Sequence, residues 1–322
     1  MKQVRLGIHA AWQVIRKTSS SLKSDGIVAT SHKIYKRLFS RYDARLKRLL
    51  PENRWGDQAY GFLLFYASHS RRPNNCMTFN DVLYRIKTTD EILDPLRVFV
   101  TDKEFVKLYV KSVVGDEYNV PTIAVLRSID EARAYSFPSQ CCIKPTHSSG
   151  EIILRKGGEP IEYNKIESWF SQNYYRSGRE ANYRLLKPKV IVEPIIFANE
   201  TTLVEYKMFC SYGEPRLIRT TEDSLGDNRC NLFDVEWNSM PFAFRRENSP
   251  KPQSRPVNLL DMINIAKKLS EPFNFIRVDL YSNNKRIYVG ELTHCPGNAM
   301  NPFIPTDSEK IASEIIFNNG SY

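Results

Sequence analysis

The chain has 322 residues, 42% hydrophobic content and a formal net charge of +10. Its length and hydrophobic content predict a globular protein of two domains or of one domain with lobes. Its longest apolar run, residues 60–67, is far shorter than the roughly 20 residues that span a bilayer. Six cysteines without a C-x-x-C pair argue against a disulfide framework or a zinc site. No apolar signal-peptide core follows the basic start, so we predict a cytoplasmic location.

The positive charge is concentrated near the N-terminus. Residues 1–54 contain thirteen Lys or Arg and three Asp or Glu, a difference that equals the whole net charge. The apolar residues of 31–50 recur near helical spacing with basic residues between them, and Pro51 ends the predicted helix. Such a helix can lie on anionic lipid at the inner face of the membrane. The alternative is that its apolar stripe packs as ordinary core.

The same basic segment raises the question of nucleic acid. Thirteen basic side chains could neutralise phosphates. The rest of the chain is formally neutral, however, and the sequence contains no DNA-binding or RNA-binding motif. We therefore predict no nucleic-acid partner.

From residue 55 to residue 200 the sequence predicts helices and short strands. A mixed helical region over 55–100 precedes a helix that starts at Thr101 and ends near Gly115. Further on, strands are predicted over 122–126, 141–145 and 152–154, and a helix over 129–134. The second of these strands carries Lys144 and leads into a small polar loop, residues 146–150.

This strand–lysine–loop–strand unit has a chemical interpretation. An ammonium group near the end of a strand can contact phosphates while backbone N–H groups of the loop cover them. The alternative is that the loop is only a hairpin turn. Neither G-x-x-x-x-G-K-[ST] nor G-x-G-x-x-G occurs in the chain, so P-loop and Rossmann nucleotide sites have no support.

The C-terminal region contains two acidic residues within apolar, β-branched runs. Asp279 and Glu291 lie in segments separated by the polar turn 282–286, the pattern of two paired strands. Burying an unpaired carboxylate is costly, and two carboxylates that face one another across a hairpin offer the oxygen ligands that Mg²⁺ prefers. The alternatives are exposed strand charges and structural ion pairs.

The order of these segments resembles the TupA-like ATP-grasp family, named from teichuronopeptide biosynthesis. The resemblance spans roughly residues 75 to 305 and leaves out about the first seventy residues. Its motifs are Thr78-Phe-Asn80, Asp102-Lys103, Ile143-Lys144-Pro145, Gly178-Arg179-Glu180, Lys187-Pro188, Glu193-Pro194, Glu205-Tyr-Lys207, Phe233-Asp234, Arg277-Val-Asp279 and Gly290-Glu291-Leu-Thr293 with Pro296-Gly297.

The resemblance implies ATP and Mg²⁺ as cofactors. The residues that would bind the nucleotide are Lys103, Lys144, Thr146, His147, Ser148, Ser149, Gly150, Glu193, Pro194, Ile195, Ile196, Glu205 and Lys207. The residues that would hold Mg²⁺ are Asp279, Glu291 and Thr293, the last standing where most ATP-grasp enzymes carry Asn. The residues that would act on the substrates are Lys207, Arg277 and Arg219.

Within that site the resemblance implies a division of roles. Lys103, Lys144 and the loop 146–150 would contact the phosphates, residues 194–196 the adenine edge, and Glu205 the ribose hydroxyls. The alternatives are a solvated helix lysine for Lys103, a strand-end charge for Glu193 and structural ion pairs for the two arginines.

The reaction implied by the resemblance is ADP-forming ligation of a carboxylate to an amine through an acyl phosphate. The implied substrates are an amino acid or amine and an acidic glycan, such as a uronic acid of a bacterial cell-surface polysaccharide (capsule or O-antigen) or its precursor. A kinase or glycosyltransferase-type transferase of the same pathway is the alternative.

We predict an α+β chain with the ATP-grasp fold, in which two lobes built on antiparallel sheets enclose ATP and follow a helical N-terminal region. The predicted divisions are a basic helical arm over 1–54, a helical or mixed region over 55–100, a first lobe over 101–189, and a second lobe with the metal site over 190–322.

Overall fold

The computed structural model describes residues 29–200, 203–224 and 227–317, so the first 28 residues of the predicted basic arm lie outside it. The chain divides into two compact units, Met1–Pro73 and Asn74–Tyr322. In the first unit, helix α1 covers residues 29–49, close to the predicted helix over 31–50, and helix α2 covers Arg54–His69.

The two helices of the first unit pack through tyrosines on their facing sides. The Tyr35 hydroxyl donates a hydrogen bond to the Leu63 carbonyl at 3.1 Å, and the Tyr60 hydroxyl donates one to Asp43 Oδ1 at 2.8 Å. Phe39, one helical turn after Tyr35, is buried. Part of the apolar stripe of α1 is therefore core, as one of the two alternatives for this helix expects.

The second unit alternates helices with strands. Its helices are α3 (Phe79–Thr88), α4 (Pro95–Thr101), α5 (Phe105–Val113), α6 (Ile129–Ala134), α7 (Tyr163–Ser171), α8 (Tyr175–Gly178), α9 (Leu259–Ser270) and α10 (Ser308–Phe317). Its strands are β1 (Ala124–Leu126), β2 (Cys141–Pro145), β3 (Ile153–Arg155), β4 (Val190–Glu193), β5 (Leu203–Ser211), β6 (Glu214–Ser224), β7 (Asp227–Phe233), β8 (Ala243–Phe244), β9 (Ile276–Ser282), β10 (Ile287–Thr293) and β11 (Phe303–Ile304).

The strands form antiparallel sheets. One sheet has the order β1-β4-β2-β3, a second has the order β10-β9-β5-β6-β7, and β8 pairs with β11. This combination of helices and antiparallel sheets confirms the predicted α+β class. Because β4 pairs with β1 and β2, the first sheet extends to Glu193, beyond the predicted lobe boundary at residue 189. The predicted domain divisions stay predictions.

The helix expected from Thr101 begins later than the sequence indicates. Asp102 has extended backbone angles and ends α4, and its side chain accepts a hydrogen bond from the Glu104 N–H at 2.8 Å. Helix α5 then begins at Phe105. Lys103 consequently lies in the turn between two helices, where its side chain is not restricted to a helix surface.

The four-stranded sheet is held by one apolar cluster. Cys141 and Ile143 alternate with Cys142 along β2, and their side chains pack with Ile166 and Trp169 of α7. All of these side chains are buried. The cluster fixes β2, and with it the position of Lys144 near the end of that strand.

The five-stranded sheet has a core on each face. Successive side chains of a strand point to opposite faces. Met208 and Val278 lie in one cluster, which packs against α9, whereas Phe209 and Phe275 lie in another, with α3 and α10. Polar residues at alternate positions from Phe209 and Phe275 along β5 and β9 lie on this second face as well, outside its apolar cluster.

Phe79 lies at the centre of the second cluster. It is fully buried, and its backbone N–H donates a hydrogen bond to Ser313 Oγ at 2.8 Å. The rings that surround it, with centroids 5.4 to 6.5 Å away, belong to Phe209, Phe244, Phe275, Phe303 and Phe317. The cluster therefore joins the five-stranded sheet to the β8–β11 pair and to α10.

Across the described residues, no helix combines the length and the apolar composition needed to cross a membrane.

Candidate active site

Four charged residues form a row across the five-stranded sheet. The register aligns Arg219 of β6 with Lys207 of β5, Lys207 with Asp279 of β9, and Asp279 with Glu291 of β10. Side chains directly opposite each other on neighbouring strands share a face of the sheet. The fold thus brings together four residues that the sequence singles out.

A glycine allows the last step of this row. The pairing of β9 with β10 shifts register at Gly290, and a Cβ atom there would lie 2.7 Å from Cε2 of Tyr281. That distance is shorter than ordinary van der Waals contact, so the Tyr281 ring can pack on the bulge only because residue 290 has no side chain. The bulge keeps Glu291 opposite Asp279.

Arg277 connects the two carboxylates. Its Nε and Nη2 donate to Asp279 Oδ1 and Oδ2, both at 2.6 Å, and Nη2 also donates to Glu291 Oε1 and Thr293 Oγ1, both at 3.1 Å. Burial opposes the charge of Glu291, but Arg277, Lys103 and Lys207 together outweigh burial and lower the pKa of Glu291 to about 2. Burial raises the pKa of Asp279 to about 6, and Arg277 limits that rise. Both carboxylates are therefore ionised at neutral pH.

A cavity of about 520 Å³ is bounded by part of this row. The predicted site residues that line it are Ser149, Lys207, Arg219, Arg277, Glu291 and Thr293. The lining residues without a predicted role are Tyr174, Ser177, Gly178, Glu180, Tyr183, Phe244, Arg245, Cys295, Gly297, Asn298, Met300 and Asn301.

The cavity has charges of both signs. Arg219 is buried and donates to Thr221 Oγ1 at 3.3 Å and to Cys230 Sγ at 3.1 Å. Among the described side chains no carboxylate lies within ion-pair distance of its guanidinium. Burial lowers the pKa of Arg219, and Arg277 and Arg245 lower it further. An anionic substrate group would offset this excess of positive charge.

Lysines and one carboxylate form a second cluster, on the four-stranded sheet. Glu193 is buried, and its oxygens lie 2.6 Å from Lys144 Nζ and 2.5 Å from Lys107 Nζ. Burial would lower the pKa of Lys144, but Glu193 outweighs burial and raises it. Burial would raise the pKa of Glu193, and the two lysines lower it instead. The predicted phosphate contact Lys144 thus sits in a charge network with Glu193.

The loop 146–150 has an inner and an outer part. Thr146 Oγ1 donates to Asp102 Oδ2 at 3.3 Å, and the buried His147 ring contacts the Trp169 carbonyl at 3.0 Å through Nε2. The side chain of His147 is therefore held within the protein, and the contact of this loop with phosphates stays a prediction. Ser149 lines the cavity, and Gly150 has a left-handed φ of 83° with open space around it.

The other residues predicted to bind the nucleotide lie after β4 and on β5. Pro194, Ile195 and Ile196 directly follow β4. Glu205 contacts Lys207 and accepts a hydrogen bond from the Tyr281 hydroxyl at 3.2 Å. Their roles at the adenine and the ribose stay predictions.

Lys103 supplies a test of whether the site fits ATP. Its ammonium donates to the Ser148 carbonyl, and within the described residues no carboxylate forms an ion pair with it. Burial lowers the pKa of Lys103, although Glu291 acts to raise it. A buried ammonium without a counter-ion is stabilised by an anionic ligand. The lysines therefore fit a bound triphosphate.

The oxygen ligands available for Mg²⁺ can be tested in the same way. Thr293 Oγ1 donates to Glu291 Oε1 at 2.9 Å, and both residues line the cavity. Both oxygens of Asp279 accept from Arg277. No group of three or more His, Cys, Asp or Glu side chains is placed to hold a metal in the part of the chain that the structure describes. Glu291 and Thr293 fit a cation whose other ligands are phosphates and water, and Asp279 fits only after Arg277 moves.

The charged site residues that sequence reasoning missed include Lys107, Glu180 and Arg245. Lys107 lies four residues after Lys103, a spacing that could have pointed to it. Burial raises the pKa of Glu180 to about 7. Glu180 belongs to the motif Gly178-Arg179-Glu180, for which the family resemblance implied no role. Arg245 has a left-handed φ of 71°, which no sequence pattern signals.

Comparison with known proteins identifies the family. A family model described as TupA-like ATPgrasp matches residues 83–317. The match covers most of the chain, and the chain belongs to the TupA-like ATP-grasp family. A search of curated proteins finds no match.

Solved structures give weaker likenesses. The chain is similar to D-alanine-D-alanine ligase from Helicobacter pylori, with 18% identity over 70% of this chain and 62% of that one and a TM-score of 0.39. It is similar to D-alanine–D-alanine ligase from Bacillus anthracis complexed with ATP, with 15% identity over 62% of this chain and 56% of that one and a TM-score of 0.35. It is also similar to the ATP-grasp ligase PsnB complexed with minimal precursor, Mg and ADP, with 9% identity over 67% of this chain and 60% of that one and a TM-score of 0.33. The chain spans about three fifths of the length of these proteins.

Family membership confirms several predictions at the level of the family. The predicted family and the predicted ATP-grasp fold agree with the match over residues 83–317. The ATP- and Mg²⁺-dependent ligase activity that the family implies is proposed for this chain below. The roles assigned to individual residues stay predictions.

Proposed function

We propose that this protein is a carboxylate–amine ligase that forms an amide, ADP and phosphate through an acyl phosphate. The observation that carries the proposal is the cavity of about 520 Å³, in which Glu291 and Thr293 lie beside Lys207, Arg219 and Arg277. A site for carboxylate activation needs oxygen ligands for Mg²⁺ next to cationic groups that hold the reacting carboxylate and phosphoryl group.

The residues divide the work as follows. Lys103 and Lys144 would hold the phosphates of ATP, which supplies the phosphoryl group when bound. Arg277 and Arg219 would orient the carboxylate and then the acyl phosphate, since both guanidiniums line the cavity and planar guanidinium groups bind such anions bidentately. Lys207, between them in the row, would neutralise charge that develops during transfer.

For substrates, we propose an amino acid or amine and the carboxylate of an acidic sugar, such as a uronic acid of a bacterial cell-surface polysaccharide or its precursor. The support is chemical: the buried Arg219 guanidinium has no carboxylate partner among the described side chains, and Arg245 lines the same cavity. An excess of arginine suits an anionic, carboxylate-bearing acceptor.

Product analysis tests the reaction. We expect ADP release only when ATP, Mg²⁺, a carboxylate and an amine are all present, with an amide detected by mass spectrometry. Without the amine, hydroxylamine should trap the activated acyl group as a hydroxamate. Release of AMP would mean adenylation in place of acyl phosphate formation. A phosphorylated or glycosylated product made without an amine would mean that the protein is a kinase or glycosyltransferase-type enzyme and not a ligase.

We further propose that α1 associates with anionic lipid or acidic polymer. Of its apolar residues, Leu38 is 50% exposed and Leu49 is 80% exposed, and basic residues lie between them. Exposed apolar and basic side chains on one helix suit an anionic membrane surface.

Vesicle sedimentation tests this association. Binding to anionic vesicles should weaken with salt and should fall at least tenfold in the double variant Leu38→Ser with Leu49→Ser. The matched control is Leu260→Ser on α9, a residue that is 64% exposed and should bind like the wild type. Equal binding by the wild type, the double variant and the control would refute the proposed association.

A further inference from the structure

Glu180 is a carboxylate in the reaction cavity that the proposed reaction has not yet used. It follows Arg179, which is buried and has a left-handed φ of 54° at the end of α8. This turn brings the Glu180 side chain to the cavity wall. A Cβ atom at Gly178 would lie 3.1 Å from Glu180 Oε1, so the glycine leaves room for the carboxylate against the backbone.

Among the described side chains, the carboxylate of Glu180 has no hydrogen-bond or ion-pair partner, whereas Glu291 and Asp279 both accept from Arg277. The nearest charged groups that affect Glu180 are Lys87 and Glu291. The ammonium of Lys87 donates to Asn298 Oδ1.

Glu180 does not belong to a cluster of carboxylates. Within the described residues, no group of three or more His, Cys, Asp or Glu side chains is placed to hold a metal. An ammonium group of a substrate would satisfy a carboxylate that faces a cavity without a partner among the described side chains.

The cavity contains groups of both charges. Arg219, Arg245 and Arg277 line it, and so do Glu180 and Glu291. Two substrates of opposite charge can therefore each find a complementary group in the same cavity.

We propose that Glu180 binds the protonated amino group of the amine substrate and so makes the cavity prefer an ammonium-bearing acceptor to a neutral nucleophile. The proposal rests on the proposed ligase function. In it, Arg219 and Arg277 hold the carboxylate substrate, and Glu180 holds the ammonium group of the amine. Glu180 takes one proton from that group, so that the free amine attacks the acyl carbon as the C–N bond forms and phosphate leaves.

The test uses the full chain with glucuronate as carboxylate probe and two nucleophile probes. Hydroxylamine is uncharged at pH 7.5, and lysine carries ammonium groups. In the wild type, lysine should lower the yield of hydroxamate by competition or by forming an amide. In Glu180→Gln, the lysine concentration needed for this effect should rise at least tenfold, and hydroxamate formation without lysine should change by a clearly smaller factor.

Control variants separate binding from structure. Glu180→Asp keeps the charge and should retain part of the lysine effect. Glu167→Gln removes a carboxylate from an exposed ion pair with Arg133 and should behave like the wild type. A fall in hydroxamate formation that matches the fall in the lysine effect would mean a structural role, which overturns the proposal.

The remaining outcomes are also decisive. Lysine that competes equally well in the wild type and in Glu180→Gln, or that does not compete in the wild type, overturns the role of Glu180 alone. A wild-type protein that forms no hydroxamate and releases no ADP overturns the proposed ligase function itself. The two failures are distinguished because hydroxylamine does not need the Glu180 carboxylate.

Discussion

Replacing Glu291 with glutamine is expected to reduce ADP formation more than a hundredfold while the protein stays folded. The change removes a charge at nearly constant shape, and glutamine can still accept the hydrogen bonds that Arg277 and Thr293 donate to Glu291 Oε1. What is lost is an anionic oxygen ligand for Mg²⁺. Initial rates of ADP release at saturating ATP measure the effect, and circular dichroism checks the fold.

The matched control lies on the same sheet. Glu214→Gln removes a carboxylate from an exposed ion pair with Lys267 and should leave the rate unchanged, because surface pairs contribute little. Thr293→Asn should retain activity, since an amide oxygen can replace the hydroxyl. A Glu291→Gln rate within tenfold of wild type, a barrier change below about 1.4 kcal/mol, would refute the metal role.

Replacing Phe79 with alanine is expected to destabilise the second unit by about 3–5 kcal/mol. The side chain is fully buried and five aromatic rings surround it, so truncation leaves a cavity that rigid rings cannot fill. Urea denaturation should show a lower midpoint with an unchanged slope. Because Phe244 belongs to this cluster and lines the reaction cavity, activity should be lost at lower urea concentrations as well.

Phe99 provides the comparison. It is 37% exposed and stacks only on Phe105, with ring centroids 5.3 Å apart. Phe99→Ala should cost less than about 1.5 kcal/mol. Phe79→Leu should fall between the two, because it keeps most of the apolar volume. Equal losses for Phe79→Ala and Phe99→Ala would mean that the ring cluster does not hold the unit together.

Local sequence was sufficient to predict the elements that carry the charged row. The β-branched runs on either side of residues 282–286 predict a hairpin, and the structure pairs Asp279 with Glu291 across it. The alternation of side chains along β5 likewise places Glu205 and Lys207 on one face. In both cases the determining signal lies within a few residues of the functional ones.

The contacts between distant segments could not be predicted in this way. Glu193 at the end of β4 forms an ion pair with Lys107 of α5, although the buried side chains of α5 pack with α9 and the five-stranded sheet. Nothing near either residue encodes that pair. Lys103 was predicted to lie on a helix. In the structure Asp102 ends α4 and its side chain accepts a hydrogen bond from the Glu104 N–H, and α5 begins only at Phe105. Glu180 reaches the cavity only because the chain turns at Arg179, a tertiary effect without a periodic pattern.

The guanidinium of Arg277 has a consequence for how a metal enters the site. Arg277 contacts both Asp279 and Glu291, and Lys207 contacts Asp279 and Glu205, so the two cations offset much of the negative charge of these carboxylates. The two acidic residues of the hairpin can therefore be held in the sheet without an ion, unlike small domains that are unfolded until a metal binds. In the proposed site, Mg²⁺ would exchange with Arg277 at Asp279, and the negative charge of a bound nucleotide would favour this exchange. The proposal therefore implies that the affinity for the metal depends on bound nucleotide.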